Sequence, residues 1–317
     1  MSDSTKRPEM PEAANKNEYA HFLKEMGNYV ITVDGVDWYL YNGFITPAYL
    51  PHCCPPITNK TAEQALNIAG KPFARWDTNF GQIKSGEWWY VLKRGLWDIE
   101  TIKDKKKRWM IRQGKKQFSV RILTSDEILT ECPRIAKLAT TRYKGQTEIE
   151  TRDTLEKQVA AAKKLPGVLE YIGCFYEDRM VSISENYIQN NAVWLATMRH
   201  DPAYLNKYSS YGFLDGILDY YLNHKKMDYV LDGCRRLHHR TNFQDYLIKV
   251  FGFSMEYAVL NVIYERRFRT MVNIAYPFRN LVWYLCDKWV NGFLDNIGAV
   301  LRQEHIRRTC KEQINVR

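Results

Sequence analysis

No apolar run in these 317 residues approaches the roughly 18–20 residues that a membrane-spanning helix needs. Residues 1–18 also lack the apolar core of a secretory signal, so a cytoplasmic location is expected. No Cys-x-x-Cys pair occurs, and the seven Cys are odd in number and irregular in spacing. That argues against a disulfide framework and against a structural zinc site. His52-Cys53-Cys54 has no second ligand pair, so no metal is expected there. There is no internal repeat, no low-complexity tract, and no zinc-finger, RRM, KH or helix–turn–helix pattern.

What is present is globular. Hydrophobic residues make up 45% and charged residues 26%, which excludes wholesale disorder. Nine Trp and 21 Tyr supply large cores. Lys and Arg outnumber Asp and Glu by 46 to 36, a net charge of +10. Such a balance favours anionic partners: nucleic acid, phosphate-bearing cofactors or an anionic membrane face.

The pattern along the chain is mixed. Residues 1–17 are polar and read as a disordered tail. A short helix at 18–26 precedes two strands, 28–33 and 36–41, joined by Asp34-Gly35, a strong hairpin signal. Residues 43–59 hold four Pro and read as a long loop. A helix at 61–69 and strands at 72–76 and 87–92 follow. The stretch 98–113 predicts a helix stopped by Gly114. It carries most of a basic run, residues 103–116, with eight Lys or Arg against one Asp. Residues 118–123 predict a strand and 125–142 a helix. A helix at 151–165 then leads into three strands in meander order, 169–175, 180–188 and 192–198. Residues 211–224 form an amphipathic helix, 227–232 a buried strand, 241–252 a helix opened by a Thr241-x-x-Gln244 capping box, and 255–264 a strand. An aromatic and basic helical tail fills 276–313. It suits either an anionic membrane surface or packing on the rest of the chain, and packing is the more economical reading.

The densest set of chemically able side chains runs from Asp232 to Asn242, leaving the end of a buried strand, where open α/β sheets place their sites. Asp232 can orient an imidazole or hold an ammonium. His239, ahead of its neighbour His238, can act as a base near neutral pH. Arg235, Arg236 and Arg240 can grip phosphate or carboxylate, and Asn242 can bind substrate. Arg108 and Arg112 lie four apart on one helical face, again suited to an anionic substrate. Lys207, Ser209, Ser210 and Gly212 suit an anion at a helix start, and equally an ordinary Ser N-cap. Cys234, close to both His, reads as a buried thiol rather than a nucleophile.

The run Lys107 to Lys116 (KRWMIRQGKK), Asp201-Pro-Ala-Tyr-Leu205 with the helix after it, Tyr229 to Arg235 (YVLDGCR) and Asn242 to Gly252 (NFQDYLIKVFG) together carry a resemblance. Over residues 90–265 the order of elements and these segments resemble the GNAT acyltransferase superfamily, closest to its FemAB-like branch. The resemblance implies an α/β (α+β) fold: a GNAT-like mixed sheet flanked by helices. It implies a degenerate GNAT-type domain at 18–120, an acyltransferase domain at 121–270 and a helical tail at 271–317. It implies an N-acyltransferase that moves an acyl or aminoacyl group from acyl-CoA or aminoacyl-tRNA to an amine, such as an amino sugar, envelope precursor or peptide. The family's (Arg/Gln)-x-x-Gly-x-(Gly/Ala) loop is replaced here by Lys207-Tyr-Ser-Ser-Tyr-Gly212, which leaves the donor open. The competing expectation is a non-enzymatic nucleic-acid-binding protein that uses the basic run with Trp109.

Overall fold

The computed structural model describes residues 17–141, 149–237, 242–288 and 292–315. The first half runs α1 (Glu18–Glu25), β1 (Val30–Val33), β2 (Val36–Tyr41), β3 (Phe44–Pro47), α2 (Asn59–Ala69), β4 (Phe73–Ile83), β5 (Trp89–Arg94) and α3 (Lys105–Gln117). The second runs β6 (Phe118–Ile122), α4 (Ser125–Thr140), α5 (Arg152–Lys164), β7 (Leu169–Tyr176), β8 (Arg179–Gln189), β9 (Ala192–His200), α6 (Ser209–Leu218), β10 (Tyr229–Cys234), α7 (Phe243–Phe251) and β11 (Ser254–Tyr264). Helices α8 (Arg266–Ala275), α9 (Arg279–Lys288) and α10 (Gly292–Asn315) close the chain.

All the strands join one mixed sheet, in the order β1-β2-β3-β4-β11-β5-β10-β9-β8-β7-β6. Its edges are built locally. Asp34 and Gly35 both take positive φ, so a two-residue turn closes the first hairpin in register Val33↔Val36. The centre is built by exchange. Strand β5 leaves the first half to pair with β10, while β11 leaves the second half to pair with β4. The cut expected near residue 120 therefore separates the chain order, yet the sheet runs across it.

Alternation along β10 shows the layering. Val230 joins a core with Phe213, Leu214, Ile217 and Phe251 under α3, α6 and α7. Leu231 points the other way, beside Leu50 and Tyr229. A second core, with Phe22, Ile135 and Leu155, lies under α1, α4 and α5. Each fully buried side chain of this size contributes about 1.5–3 kcal/mol.

Several expectations need correction. Strand β3 lies in the stretch expected to be loop; its Pro47 pairs with Trp38 at the strand's last position. The helix expected from residue 98 breaks in two. Asp98 caps a single turn, Ile99–Thr101, and Asp104 accepts from Lys106 N and Lys107 N to start α3 afresh. Helix α3 runs through Gly114 rather than stopping there. Helix α4 opens at Ser125 as expected, behind a capping box of Thr124 and Glu127. Helix α7 starts at Asn242 without a side-chain cap. Thr241 lies outside the described residues, as do residues 1–16 and Trp289 of the tail. The tail is three helices, and α8 begins ten residues before the stretch expected to be helical.

His200 ends β9 with its ring edge-on to Phe213 and Nδ1 2.8 Å from the Ser182 hydroxyl. Burial pushes its pKa down to about 4. An unfolded His takes its proton near 6.5, so stability falls as pH drops from there towards 4. A His200→Gln variant, neutral throughout, should flatten that limb by roughly 3 kcal/mol in urea titrations at stepped pH. An acid limb identical to that of the wild type would show that another group governs it.

Candidate active site

Strands β9 and β10 are parallel neighbours, but they pair only over Ala192–Trp194 and Tyr229–Leu231. Strand β9 runs on to His200 and β10 to Cys234, so the two part beyond that point. On its other side β10 carries a bulge at Asp232, between Leu231 and Gly233. Gly233 takes φ +127, a value side chains rarely adopt, and faces the Trp194 indole.

A cavity of about 160 Å³ opens at this parting. Leu231, Gly233, Cys234 and Trp194 form its floor, and β2 and β4 of the other half supply Tyr39, Tyr41, Arg75 and Asp77. A larger, wetter cleft adjoins it, sharing Pro51, Cys54 and Asp77 and bordered by His52, Arg94 and Glu256.

The electrostatics centre on two residues of β4. Asp77 Oδ1 accepts from Trp88 Nε1 at 2.7 Å, and Oδ2 accepts from the Tyr90 hydroxyl. Burial raises its pKa above the usual carboxylate range, partly offset by those bonds and by the charge of Arg75. Arg75 stacks on Phe44 at 4.5 Å and lies 5.7 Å from the Trp88 ring. Among the described residues its guanidinium has neither a hydrogen bond nor a carboxylate within ion-pair distance. Burial drives Cys234 up to about 11 and Cys54 up to about 12, so both stay thiols at neutral pH. It also raises the Tyr39 and Tyr90 phenols.

The residues singled out in the sequence are dispersed by the fold. Asp232 is buried on the α7 side, where Gln244 Nε2 donates to it at 3.0 Å and Arg236 lies 4.0 Å away. It does not line the cavity. Burial raises its pKa, with Arg236 and Gln244 opposing. Arg235 pairs with Glu87 and stacks on Trp89 at 4.4 Å. Asn242 is exposed at the start of α7. His238, His239 and Arg240 lie outside the described residues. Arg108 donates to the carbonyls of Ile102 and Lys103, and Arg112 pairs with Glu100, so both brace the turn before α3. Lys207 sits over Tyr176 at 4.2 Å. Ser209 and Gly212 are buried, and Gly212 abuts Gly114 of α3. Ser210 is half-buried beside them. In the first turn of α6, Tyr211 N and Gly212 N already donate to Tyr208 O. Arg75 and Asp77 were not singled out. Their only local signal was two opposite charges at strand spacing in Phe73-Ala-Arg-Trp-Asp77.

No protein-family model matches the sequence, and no curated protein sequence matches it. Solved structures do. FemX is similar with a TM-score of 0.53 and 9% identity, over 76% of this chain and 89% of that one. The C-terminal domain of a protein assigned as lysylphosphatidylglycerol synthetase, from Agrobacterium fabrum, gives 0.51 and 11%, over 81% and 90%. A conserved protein of unknown function from Bacteroides thetaiotaomicron gives 0.52 and 11%, over 80% and 93%. What is shared is the fold: in this chain a large mixed sheet flanked by helices, as the resemblance to GNAT-type proteins implied.

Proposed function

We propose that this chain transfers an acyl or aminoacyl group from an activated donor to an amine seated in the tyrosine-lined cavity. The observation that carries the reading is a half-buried carboxylate, Asp77, in a cavity at the parting of two parallel strands. The amine nitrogen attacks the donor's carbonyl carbon. Asp77 first takes one proton from the bound ammonium; the new C–N bond then forms as the donor's C–S or C–O bond breaks, and the departing thiolate or ribose oxygen takes the nitrogen's second proton. A carboxylate with a raised pKa is suited to hold an ammonium and then to take its proton. The FemX-like fold supports the class of reaction by analogy.

Two observations favour charged tRNA over CoA as donor. Helix α3 closes over Gly212, and the N–H groups of Tyr211 and Gly212 at the start of α6 are already spent on Tyr208 O. Meanwhile Lys103, Lys105, Lys106 and Lys116 stand exposed beside a half-exposed Trp109, a surface for phosphates and bases. The same surface carries the alternative of a nucleic-acid-binding protein without turnover.

Thermal unfolding with CoA, acetyl-CoA, longer acyl-CoAs and charged tRNA tests this. A donor at a hundredfold excess over its Kd stabilises the native state by about 2.7 kcal/mol. Charged tRNA should raise the Tm, and its aminoacyl group should move to an added amine. A shift with an acyl-CoA alone would reverse the donor. Binding of tRNA regardless of charging, with no transfer to any amine, would leave the binding-protein reading.

A further inference from the structure

We propose that the tyrosine-lined cavity is a receptor for a free α-amino acid in its zwitterionic form, with Arg75 taking the carboxylate and Asp77 the ammonium. The acceptor role of that amino acid rests on the transferase reading; its binding does not. Arg75 and Asp77 alternate along β4, so both face the cavity from the same side of the strand, about 6.6 Å apart along it. A guanidinium partly withdrawn from water is costly unless an anion meets its donors; Arg75 is half-buried, and among the described residues its guanidinium meets only aromatic rings. Asp77 keeps acceptor capacity, since each oxygen receives one neutral donor where it can take two. Around this pair the lining is aromatic and uncharged: Tyr39, Tyr41, Tyr187 and Trp194. A volume of 160 Å³ is close to the ~150 Å³ that admits benzene, which sets the scale of the whole ligand, charged groups included. The site thus reads two charges of opposite sign at fixed separation and an apolar side chain.

Calorimetric titration of the full chain, without any donor, tests this. The probes are the standard amino acids, with phenylalanine and leucine compared with their decarboxylated amines and N-acetyl derivatives. At least one apolar amino acid should bind, and removing either charge should weaken binding about tenfold or more. Arg75→Gln should erase the preference over the decarboxylated amine, and Asp77→Asn the preference over the N-acetyl form. The proposal is overturned if no amino acid binds at millimolar concentration, or if the amine binds wild type as well as the amino acid does. Thermal unfolding of both variants separates lost binding from lost folding. Zwitterion binding without transfer would sink the transferase reading and leave this one standing. Transfer to amines lacking a carboxylate, with wild-type kcat/KM in Arg75→Gln, would do the reverse.

A separate observation concerns the surface. Met271, Ile274, Phe278 and Leu281 follow at spacings of three, four and three, and each is about 60% exposed or more. The backbone stays right-handed helical from α8 through Tyr276 and Arg279 into α9, so the four form one stripe. Val272 and Phe268 hold the opposite side in the core. Exposed Arg267 and Lys288 stand at the two ends, and residues 265–288 carry five Lys or Arg against two acidic residues. Both acidic residues are engaged, Glu265 as the cap of α8 and Asp287 with Arg302. From this charge pattern we infer that the stripe lies on an anionic bilayer, in the plane of the interface. No helix among the described residues is long and apolar enough to cross one. The protein should float with phosphatidylcholine vesicles containing phosphatidylserine, and not with pure phosphatidylcholine. Ile274→Glu with Phe278→Glu should abolish flotation while leaving the Tm in place. Failure to float overturns the inference. So does a self-associated dimer, seen by sedimentation, that the same double variant dissolves, since a second copy would then cover the stripe.

Discussion

Replacing Gly114 by alanine should destabilise the protein by about 3 kcal/mol or more, and leucine at that position should prevent folding. A Cβ at Gly114 would stand 2.4 Å from Gly212 N, 2.6 Å from Tyr208 O and 2.8 Å from Gly212 Cα. Seen from the other helix, a Cβ at Gly212 would stand 2.6 Å from Gly114 C and 2.7 Å from its oxygen. Every one of these neighbours is backbone, so no rotamer change relieves the overlap. Helices α3 and α6 must separate, and they carry Ile111, Phe213 and Leu214, all fully buried. The salt bridge from Lys115 to buried Asp215, at 3.6 Å, spans the same crossing. The sign is informative, because alanine in a helix interior otherwise gains about 1 kcal/mol over glycine. A loss therefore isolates the crossing from intrinsic propensity. Gly212→Ala should cost a similar amount. The double variant should cost less than the two single losses combined, since the first separation makes room for the second Cβ. Urea unfolding measures all three; a Gly114→Ala protein as stable as wild type would remove the close crossing from the account.

The same residue shows where sequence reading stops. Gly114 near the end of a basic helix reads as a C-terminal stop, because glycine there usually marks one. Its reason for being glycine is Gly212, far along the chain, and no local pattern announces that partner. Elements whose signals are local came through well. The Asp34-Gly35 hairpin, the three-strand meander and the helix closed by Gly252 each depend on neighbours in sequence. The exchange of β5 and β11 depends on contacts across the whole chain and leaves no local trace. The site divides in the same way. The end of β10 was legible as a place for chemistry, because a buried strand followed by charged residues marks the mouth of a sheet. The charges after it are nonetheless spread over different faces: Asp232 turns to Gln244, and Arg235 turns to Glu87 and Trp89. The cavity beside Cys234 is lined largely by the first half, and Arg75 and Asp77 read as ordinary strand residues until β10 is placed near them.

Asp77→Asn should lower turnover by about a hundredfold or more, since a positioned base contributes typically 10²–10⁴. The exchange keeps the shape, and the amide oxygen can still accept from Trp88. Two further readouts distinguish a base from a structural carboxylate. The first is stability. Burial raises the native pKa of Asp77, so the native state favours the neutral form and ionisation costs it stability as pH rises past the ordinary carboxylate range. Asparagine is neutral at every pH, so the variant should hold or gain Tm near neutral pH while losing activity. A structural role predicts a loss of Tm. The second is the pH profile. The acid limb of kcat/KM in wild type should lie above the pKa of a free Asp, because the limb reports the group that must be ionised to take the amine's proton. Asp77→Glu should keep a limb of that kind at reduced rate, and Asp77→Asn should lose it. Wild-type turnover in Asp77→Asn would exclude this carboxylate as the base. In that case Asp232, a buried carboxylate beside the parted strands, would be the next to substitute, and Asp232→Ala should then carry the loss.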